Sequence, residues 1–263
     1  MPHSYKRMPT IIAHRANSLR RIRHYILDSN VDGIEMDFVK SPINGNVVLM
    51  HISEDFLTKE TIAKEEPMPS RRVAEYRLDI RYYANRVISW ITDTLTHKQY
   101  EWKPRKYFLE NVLRYVDEQL RKARRKMIVL VDLKSKDIHE KMTEALQKIK
   151  VHNASIYISS KYHRELAKIK QCMPQVKVLA SFDSEVINAP EYLKSLNMDG
   201  ASVRAAFVDK DLINDLHRHG LIIAVWTVND PRMAKHYAKL GVDMIITDIP
   251  DHIKEVLKLN NEL

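Results

Sequence analysis

The stretch ASIYISSKYHRELAKIKQCMPQVKVLASF (154–182) contains the repeating pattern from which the fold can be predicted. Apolar runs at 154–160 and 176–182 predict two strands, and the mixed segment at 162–172 between them predicts a helix. Strands that alternate with helices of this length form βαβ units, because a parallel connection needs a crossover. The stretch therefore predicts an α/β protein with a parallel sheet.

The same alternation continues in both directions along the chain. Eight strands are predicted, at 10–16, 33–40, 126–134, 154–160, 176–182, 199–205, 221–229 and 243–249. Helices are predicted at 18–29, 106–126, 137–149, 162–172, 189–197, 210–219, 230–240 and 252–259. Eight parallel strands with intervening helices are typical of a (β/α)₈ TIM barrel. A doubly wound open sheet is the alternative, but it would need a glycine-rich phosphate loop, and the sequence has no G-x-G-x-x-G motif.

The few glycines also fall at regular places in this pattern. Gly33, Gly200, Gly220 and Gly241 each come shortly before a predicted strand, where we expect them to end the preceding helix. Gly45 lies in a predicted hairpin turn. The glycine positions therefore agree with a chain of repeated helix–strand units.

One interval interrupts the alternation. We predict a single barrel domain over 1–263 with a helical insertion at 53–107, after the second strand. Within it, 71–91 has an apolar stripe at helical spacing together with five arginines. Such a helix would pack on the barrel, or it would make peripheral contact with an anionic membrane surface.

Composition limits the classes of function that need consideration. The chain has 263 residues, a net charge of +9 and one cysteine, so it cannot form an internal disulfide and suits a reducing cytoplasm. It contains no apolar run of membrane-spanning length. A positive net charge favours phosphorylated substrates or anionic lipid. The sequence has no basic stripe with interleaved aromatic residues, so it does not predict nucleic-acid binding. The composition gives no indication of oligomeric state.

Two acids in the second strand are the strongest functional signal. Glu35 and Asp37 are two apart in GIEMDFVK (33–40), so both side chains point to one face of an otherwise apolar strand. Burying unpaired carboxylates is costly, and such a pair usually binds a cation or serves catalysis. The Asn44-Gly45 turn and the run VVLM predict a hairpin that returns His51 to the neighbourhood of Asp37.

Further polar residues come late in other predicted strands. The active site of a (β/α)₈ barrel lies at the carboxyl ends of its strands, so these residues should converge. The converging set comprises His14 and Arg15 on the first strand, Asp132 and Lys134 on the third, and Trp226 on the seventh.

The residue types indicate a particular chemistry. Three carboxylates, Glu35, Asp37 and Asp132, suit a hard divalent cation such as Mg²⁺ or Ca²⁺. Arg15 and Lys134 suit an anionic group such as a phosphate, and two histidines can provide acid and base catalysis near neutral pH. Together these residues predict phosphodiester chemistry.

Five motifs in this order resemble the glycerophosphodiester phosphodiesterase family. They are IIAHRA (11–16), IEMDFVKSPINGNVVLMH (34–51), FLENVLRYV (108–116), VLVDLK (129–134) and the pair WTVND (226–230) with GVDMIITDIPD (241–251). The resemblance departs from the family pattern at Ala16, at Ile52 and in a missing Glu-Asn-Thr motif. It also departs at Asp132, where glutamate is usual.

The resemblance implies a function and a set of site residues. His14 and His51 would be the acid–base pair, and Glu35, Asp37 and Asp132 would bind one divalent cation. The phosphate and substrate would be held by Arg15, Lys134 and Trp226. The substrate would be a glycerophosphodiester, cleaved to glycerol phosphate and an alcohol. Two alternatives remain open: a phospholipase D-like enzyme acting on lysophospholipids, and a barrel that binds a phosphorylated ligand without turnover.

Overall fold

The chain folds as a closed barrel of eight parallel strands with helices between them. The computed structural model describes residues 8–41, 45–50 and 107–261. The barrel strands are β1 (Thr10–Ala13), β2 (Gly33–Lys40), β4 (Met127–Leu133), β5 (Ala154–Ser160), β6 (Lys177–Phe182), β7 (Gly200–Arg204), β8 (Ile222–Trp226) and β9 (Met244–Thr247). A short strand, β3 (Val47–Leu49), pairs with β2 in an antiparallel hairpin.

Closure depends on β1, which pairs in parallel with both β2 and β9. Ile12 lies opposite Gly33 on one side and opposite Ile246 on the other. The remaining strands follow in sequence order around the barrel. The predicted (β/α)₈ architecture is thereby confirmed, and the open-sheet alternative is wrong.

The structure describes eight α-helices, and a side chain caps the N-terminus of three of them. The eight are α1 (Leu19–Leu27), α2 (Leu109–Ala123), α3 (His139–Gln147), α4 (His163–Cys172), α5 (Ala189–Ser195), α6 (Lys210–Arg218), α7 (Pro231–Leu240) and α8 (Pro250–Asn261). Ser18, Asp209 and Asp230 each accept a hydrogen bond from a backbone N–H of the first turn, at α1, α6 and α7. Within the described residues, every helix is too short or too polar to span a membrane.

Side chains alternate between the barrel interior and the layer under the helices. A small apolar cluster fills the interior, formed by Ile12, Leu130, Leu179, Ala224, Met244 and Ile246. A larger cluster packs between the strands and the helices. Because successive strand residues point to opposite faces, residues two or four positions after an interior residue also face inward. This parity directs Glu35, Asp37 and Asp132 to the barrel mouth.

Two glycines differ from the prediction that all four end helices. Gly33 and Gly200 are the first residues of β2 and β7. A Cβ at Gly33 would lie 2.8 Å from the Ile128 carbonyl oxygen, and one at Gly200 would collide with the Ile222 backbone. These two positions need glycine for close strand packing. The prediction holds for Gly241, which caps α7 in the left-handed region with φ +97°.

The predicted hairpin is confirmed as far as the structure describes it. Phe38 pairs with Leu49, and the backbone N–H of Met50 donates to the Asp37 carbonyl at 3.0 Å. The chain thus returns to Asp37 one residue before His51. His51 itself, the 71–91 segment and the rest of the proposed insertion at 53–107 lie outside the described residues.

Candidate active site

Three carboxylates converge at the carboxyl end of the barrel. Asp37 on β2 lies directly opposite Asp132 on β4, and Glu35 lies one inward position deeper on β2. One carboxylate oxygen from each of the three lies within 4.8 Å of the others. Glu35 is 4% exposed and Asp37 is 1% exposed. The structure therefore brings the three predicted metal ligands together in a nearly buried group.

Lys134 is the ammonium closest to this carboxylate group among the described residues. Its Nζ lies 2.5 Å from Asp132 Oδ2 and 3.3 Å from Asp37 Oδ1. Burial alone would lower the pKa of Lys134, but the charges of Asp132 and Asp37 raise the pKa above its ordinary value. Lys134 is therefore a permanent cation that bridges two of the three carboxylates.

One ammonium does not balance three carboxylates. Burial raises the pKa of Glu35 well above its ordinary value, and repulsion from Asp37 and Asp132 raises it further. Burial also raises the pKa of Asp132, against the opposing charge of Lys134. The group carries two excess negative charges when all three acids are ionised. An all-oxygen set with that excess suits a divalent cation, so the residues present fit such an ion.

Hydrogen bonds fix the direction of each carboxylate. The Asn17 amide donates to Asp37 Oδ2 at 2.6 Å, and Ser159 Oγ donates to Asp132 Oδ1 at 3.1 Å. The backbone N–H of Arg15 donates to Glu35 Oε2 at 2.6 Å. Donors of this kind orient metal-binding carboxylates. Arg15 reaches this position with φ +53°, in the left-handed region, and its side chain is exposed at the rim.

His14 follows directly after β1 and belongs to a second hydrogen-bonded group. Its Nδ1 lies 2.8 Å from Asp248 Oδ1, and Asn229 Nδ2 donates to Asp248 Oδ2 at 2.7 Å. A carboxylate can only accept, so Asp248 favours the tautomer with hydrogen on Nδ1 and leaves Nε2 as the reactive nitrogen. Burial lowers the pKa of His14, although the hydrogen bond to Asp248 opposes the change. His14 is therefore neutral at neutral pH.

Trp226 is the last residue of β8 and lies at the same mouth of the barrel. Its ring packs against the interior apolar cluster and is partly exposed. Lys161 Nζ lies 5.9 Å from the ring centroid. The described structure therefore brings together seven of the eight predicted site residues at one rim, and the eighth, His51, lies outside the described residues.

Four residues of the site were not predicted from the sequence. They are the hydrogen-bonding partners Asn17, Ser159, Asn229 and Asp248. Asp248 could have been found, because it follows the last strand directly and the carboxyl-end rule applies to it as well. Asn17, Ser159 and Asn229 also lie at or next to the ends of predicted strands, but a neutral polar residue there is common and does not by itself indicate a site.

The fold and the site together define a (β/α)₈ barrel with a candidate divalent-cation site. Beside that site lies His14, whose ring is oriented by its hydrogen bond to Asp248. The sequence profile of the Glycerophosphoryl diester phosphodiesterase family matches residues 11–252. The chain belongs to this family, whose members are glycerophosphodiester phosphodiesterases.

Individual relatives agree with the family assignment. A glycerophosphodiester phosphodiesterase of Bacillus altitudinis is 28% identical over 269 residues, covering 95% of this chain and all of the relative. Among solved structures, a phosphodiesterase of Oleispira antarctica in complex with the product sn-glycerol-3-phosphate gives a TM-score of 0.66 at 18% identity. The match covers 95% of this chain and 97% of that one. A putative glycerophosphodiester phosphodiesterase of Galdieria sulphuraria gives 0.68 at 18% identity, with 97% and 100% covered. At these identities the structural likeness shows the fold alone.

Proposed function

We propose that this enzyme is a divalent-cation-dependent phosphoric diester hydrolase that cleaves glycerophosphodiesters to glycerol phosphate and an alcohol. The observation that carries the proposal is the buried group of Glu35, Asp37 and Asp132, whose oxygens lie within 4.8 Å of one another beside the single ammonium of Lys134. Family membership supports the reaction class.

Mg²⁺ or Ca²⁺ suits the site better than a transition metal does. All three candidate ligands, Glu35, Asp37 and Asp132, offer carboxylate oxygen, whereas zinc sites more often include histidine or cysteine. A bound divalent cation would neutralise these carboxylates and would stabilise negative charge on the phosphoryl oxygens. Lys134 forms an ion pair with both Asp132 and Asp37. It is proposed to supply a fixed positive charge next to the phosphate.

His14 is the proposed proton acceptor at the reacting centre. Asp248 hydrogen-bonds to Nδ1 at 2.8 Å, which leaves Nε2 to accept a proton from the water that attacks the phosphorus as the bond to the leaving alcohol breaks. Because burial lowers its pKa, His14 is in the neutral form that a base requires. The family resemblance implies that His14 and His51 form the acid–base pair, and with His14 as the base, His51 is proposed to protonate the leaving alkoxide. Arg15, exposed beside His14, is proposed to bind the phosphate oxygens.

The relatives support glycerol phosphate as one product. The structure of the Oleispira antarctica phosphodiesterase is a complex with the product sn-glycerol-3-phosphate. Trp226 is proposed to line the substrate site on the opposite side of the barrel mouth from Asp37. The proposed substrate is a soluble glycerophosphodiester, and a cytoplasmic location remains a prediction from the cysteine content.

A substrate and metal panel tests the proposal. The protein would be assayed on glycerophosphoglycerol, glycerophosphoinositol, glycerophosphocholine and a lysophospholipid, each with Mg²⁺, Ca²⁺, Mn²⁺ or chelator. We expect glycerol phosphate from the soluble diesters, loss of turnover in chelator and recovery with Mg²⁺ or Ca²⁺. Turnover that is insensitive to chelator would contradict the role of the carboxylates.

The panel also separates the two alternatives. Preferential cleavage of the lysophospholipid, with co-sedimentation on anionic vesicles, would favour the phospholipase D-like function and peripheral membrane contact. A protein that binds the diesters by calorimetry but hydrolyses none under any metal condition would be a binding barrel. His14→Ala serves as the inactive control, and we expect its turnover to fall by about 10²- to 10⁴-fold.

A further inference from the structure

The half of the barrel mouth formed by β5 to β8 has its own cluster of charged and aromatic side chains. Four consecutive strands each place one residue there: Lys161 after β5, Asp183 after β6, Arg204 at the end of β7 and Trp226 at the end of β8. Each lies four positions after an inner residue of its strand. Arg204 and Trp226 keep the inward parity within β7 and β8, whereas Lys161 and Asp183 follow the ends of β5 and β6. Those inner residues are Tyr157, Leu179, Gly200 and Ile222, of which Tyr157, Leu179 and Ile222 belong to or pack against the interior cluster.

These four residues are linked to one another. Lys161 Nζ lies 2.7 Å from Asp183 Oδ2 and 5.9 Å from the centroid of the Trp226 ring. Arg204 pairs with Trp226 in the β7–β8 register. The hydrogen bond from Lys161, followed by the charges of Lys161 and Arg204, lowers the pKa of Asp183. Asp183 is thus an anion in direct contact with Lys161 and within electrostatic range of Arg204.

The cluster adjoins the candidate metal site. Ser159 donates to Asp132, and Lys161 follows two residues later, directly after the end of β5. Both ends of the Lys161–Asp183 pair are accessible, with side chains 31% and 51% exposed. A group attached to a phosphate beside Asp132 and Lys134 can therefore reach this pair.

We propose that Lys161, Asp183, Arg204 and Trp226 form the subsite for the leaving alcohol, and that the subsite takes polyhydroxylated alcohols in preference to quaternary ammonium alcohols. This inference rests on the proposed function, because it concerns which glycerophosphodiester the same site cleaves. Glycerol phosphate is common to all these substrates, so the subsite selects among the alcohols.

The charges and contacts of the subsite give the reason for the preference. A trimethylammonium group binds on aromatic faces, but the ammonium of Lys161 already lies over Trp226. Among the described residues, two cations against one carboxylate also disfavour a cationic alcohol at this subsite. A vicinal diol, by contrast, can donate one hydroxyl to Asp183 and accept from Lys161 with the other. The alcohol selected is therefore one such as glycerol or inositol.

A comparison of two substrates in matched variants tests the subsite. kcat/KM would be measured for glycerophosphoglycerol and glycerophosphocholine with the wild type, Lys161→Met and Lys122→Met. Met keeps the length and the apolar stem of lysine but removes the charge. Lys122 is the matched control, since it forms an exposed ion pair with Glu118 on α2. Melting temperatures would confirm that each variant is folded.

We expect the wild type and Lys122→Met to prefer glycerophosphoglycerol by about tenfold or more, a size that one lost or gained cation–ring contact can produce. Lys161→Met should reduce this ratio by a similar factor, with a rise in kcat/KM for glycerophosphocholine. A wild type that prefers glycerophosphocholine, or a Lys161→Met variant that changes both substrates equally, would overturn the subsite while leaving the proposed function intact.

The two hypotheses also fail in different ways. If no diester is hydrolysed, the proposed function is wrong, and titration calorimetry of the same two diesters then tests the subsite by affinity. Tighter binding of glycerophosphoglycerol that is lost in Lys161→Met would support it. Equal affinities, or a preference unchanged in Lys161→Met, would overturn it. Asp183→Asn gives an independent check, because it should weaken glycerophosphoglycerol selectively.

Discussion

Asn17 forms two hydrogen bonds with Asp37. Its Nδ2 donates to Asp37 Oδ2 at 2.6 Å, and its Oδ1 accepts from the Asp37 backbone N–H at 2.9 Å. The amide thereby fixes the carboxylate and leaves Asp37 Oδ1 toward Lys134, 3.3 Å from its Nζ. A residue outside the predicted ligand set therefore determines how one of the proposed ligands is presented.

Asn17→Ala should weaken metal binding more than it slows the reaction at saturating metal. Removal of an orienting hydrogen bond typically lowers metal affinity about 10- to 100-fold. The measurement is the metal concentration that gives half-maximal turnover, and Asn30→Ala, at the opposite end of the barrel, is the control. An unchanged metal requirement in Asn17→Ala would show that Asn17 has no part in orienting Asp37.

Asp248→Asn should lower activity and move its pH dependence. Asp248 contributes both a hydrogen bond and a charge that raise the pKa of His14, so its neutralisation lowers that pKa further. Since a base must be deprotonated, the acid limb of the kcat/KM profile should shift to lower pH, and its plateau should fall by about tenfold or more. Asp215→Asn is the control, because Asp215 forms an exposed ion pair with Arg218 on α6. This variant should leave the pH profile unchanged. An acid limb at the wild-type pH would refute the role of Asp248 in setting the pKa of His14.

Lys134→Met should destabilise the metal-free protein strongly and the metal-loaded protein less. Loss of one partner from a buried ion pair typically costs about 3 to 5 kcal/mol, and here Asp132 and Asp37 would both lose their cation. A bound divalent cation would restore part of the charge balance. Urea unfolding in chelator and in excess Mg²⁺, compared with Lys122→Met, measures the difference. Equal losses under both conditions would count against a cation beside Lys134.

A carboxyl pair away from the active site gives a prediction for stability against pH. A hydrogen bond with Asp28, together with burial, raises the pKa of Asp251 from 3.8 to about 6. The native protein then holds more protons than the unfolded chain between these values, so stability falls as pH rises from about 4 to about 6. Asp251→Asn should remove this loss, with a higher melting temperature than the wild type at pH 7 and a smaller difference near pH 4. An equal difference at both pH values would contradict the raised pKa of Asp251.

The fold was predictable because the signal repeats. Apolar strands alternate with amphipathic helices over most of the described chain, and each unit gives the same prediction independently. Strand ends were less accurate: β1 stops at Ala13 and β4 at Leu133, so His14, Arg15 and Lys134 follow the strands rather than end them. The positive φ of Arg15 breaks the extended chain there, and its local sequence does not indicate that conformation.

The site was predictable only where residues share one strand or one rule. Glu35 and Asp37 are two apart, so their common face follows from strand geometry. The contact between His14 and Asp248 joins residues 234 positions apart and exists only because β1 and β9 close the barrel. No local pattern contains that information. The contact between Lys161 and Trp226 likewise depends on the order of β5 to β8 around the barrel.

The central claim is that Glu35, Asp37 and Asp132 bind the cation on which hydrolysis depends. Its most direct test is ³¹P NMR of glycerophosphoglycerol turnover by the wild type and Asp132→Asn, in chelator and after return of Mg²⁺ or Ca²⁺. We predict that the wild type forms glycerol phosphate only with added cation, and that Asp132→Asn requires far more cation or remains inactive. Glycerol phosphate formation by the wild type in chelator, or an unchanged cation requirement in Asp132→Asn, would contradict the claim.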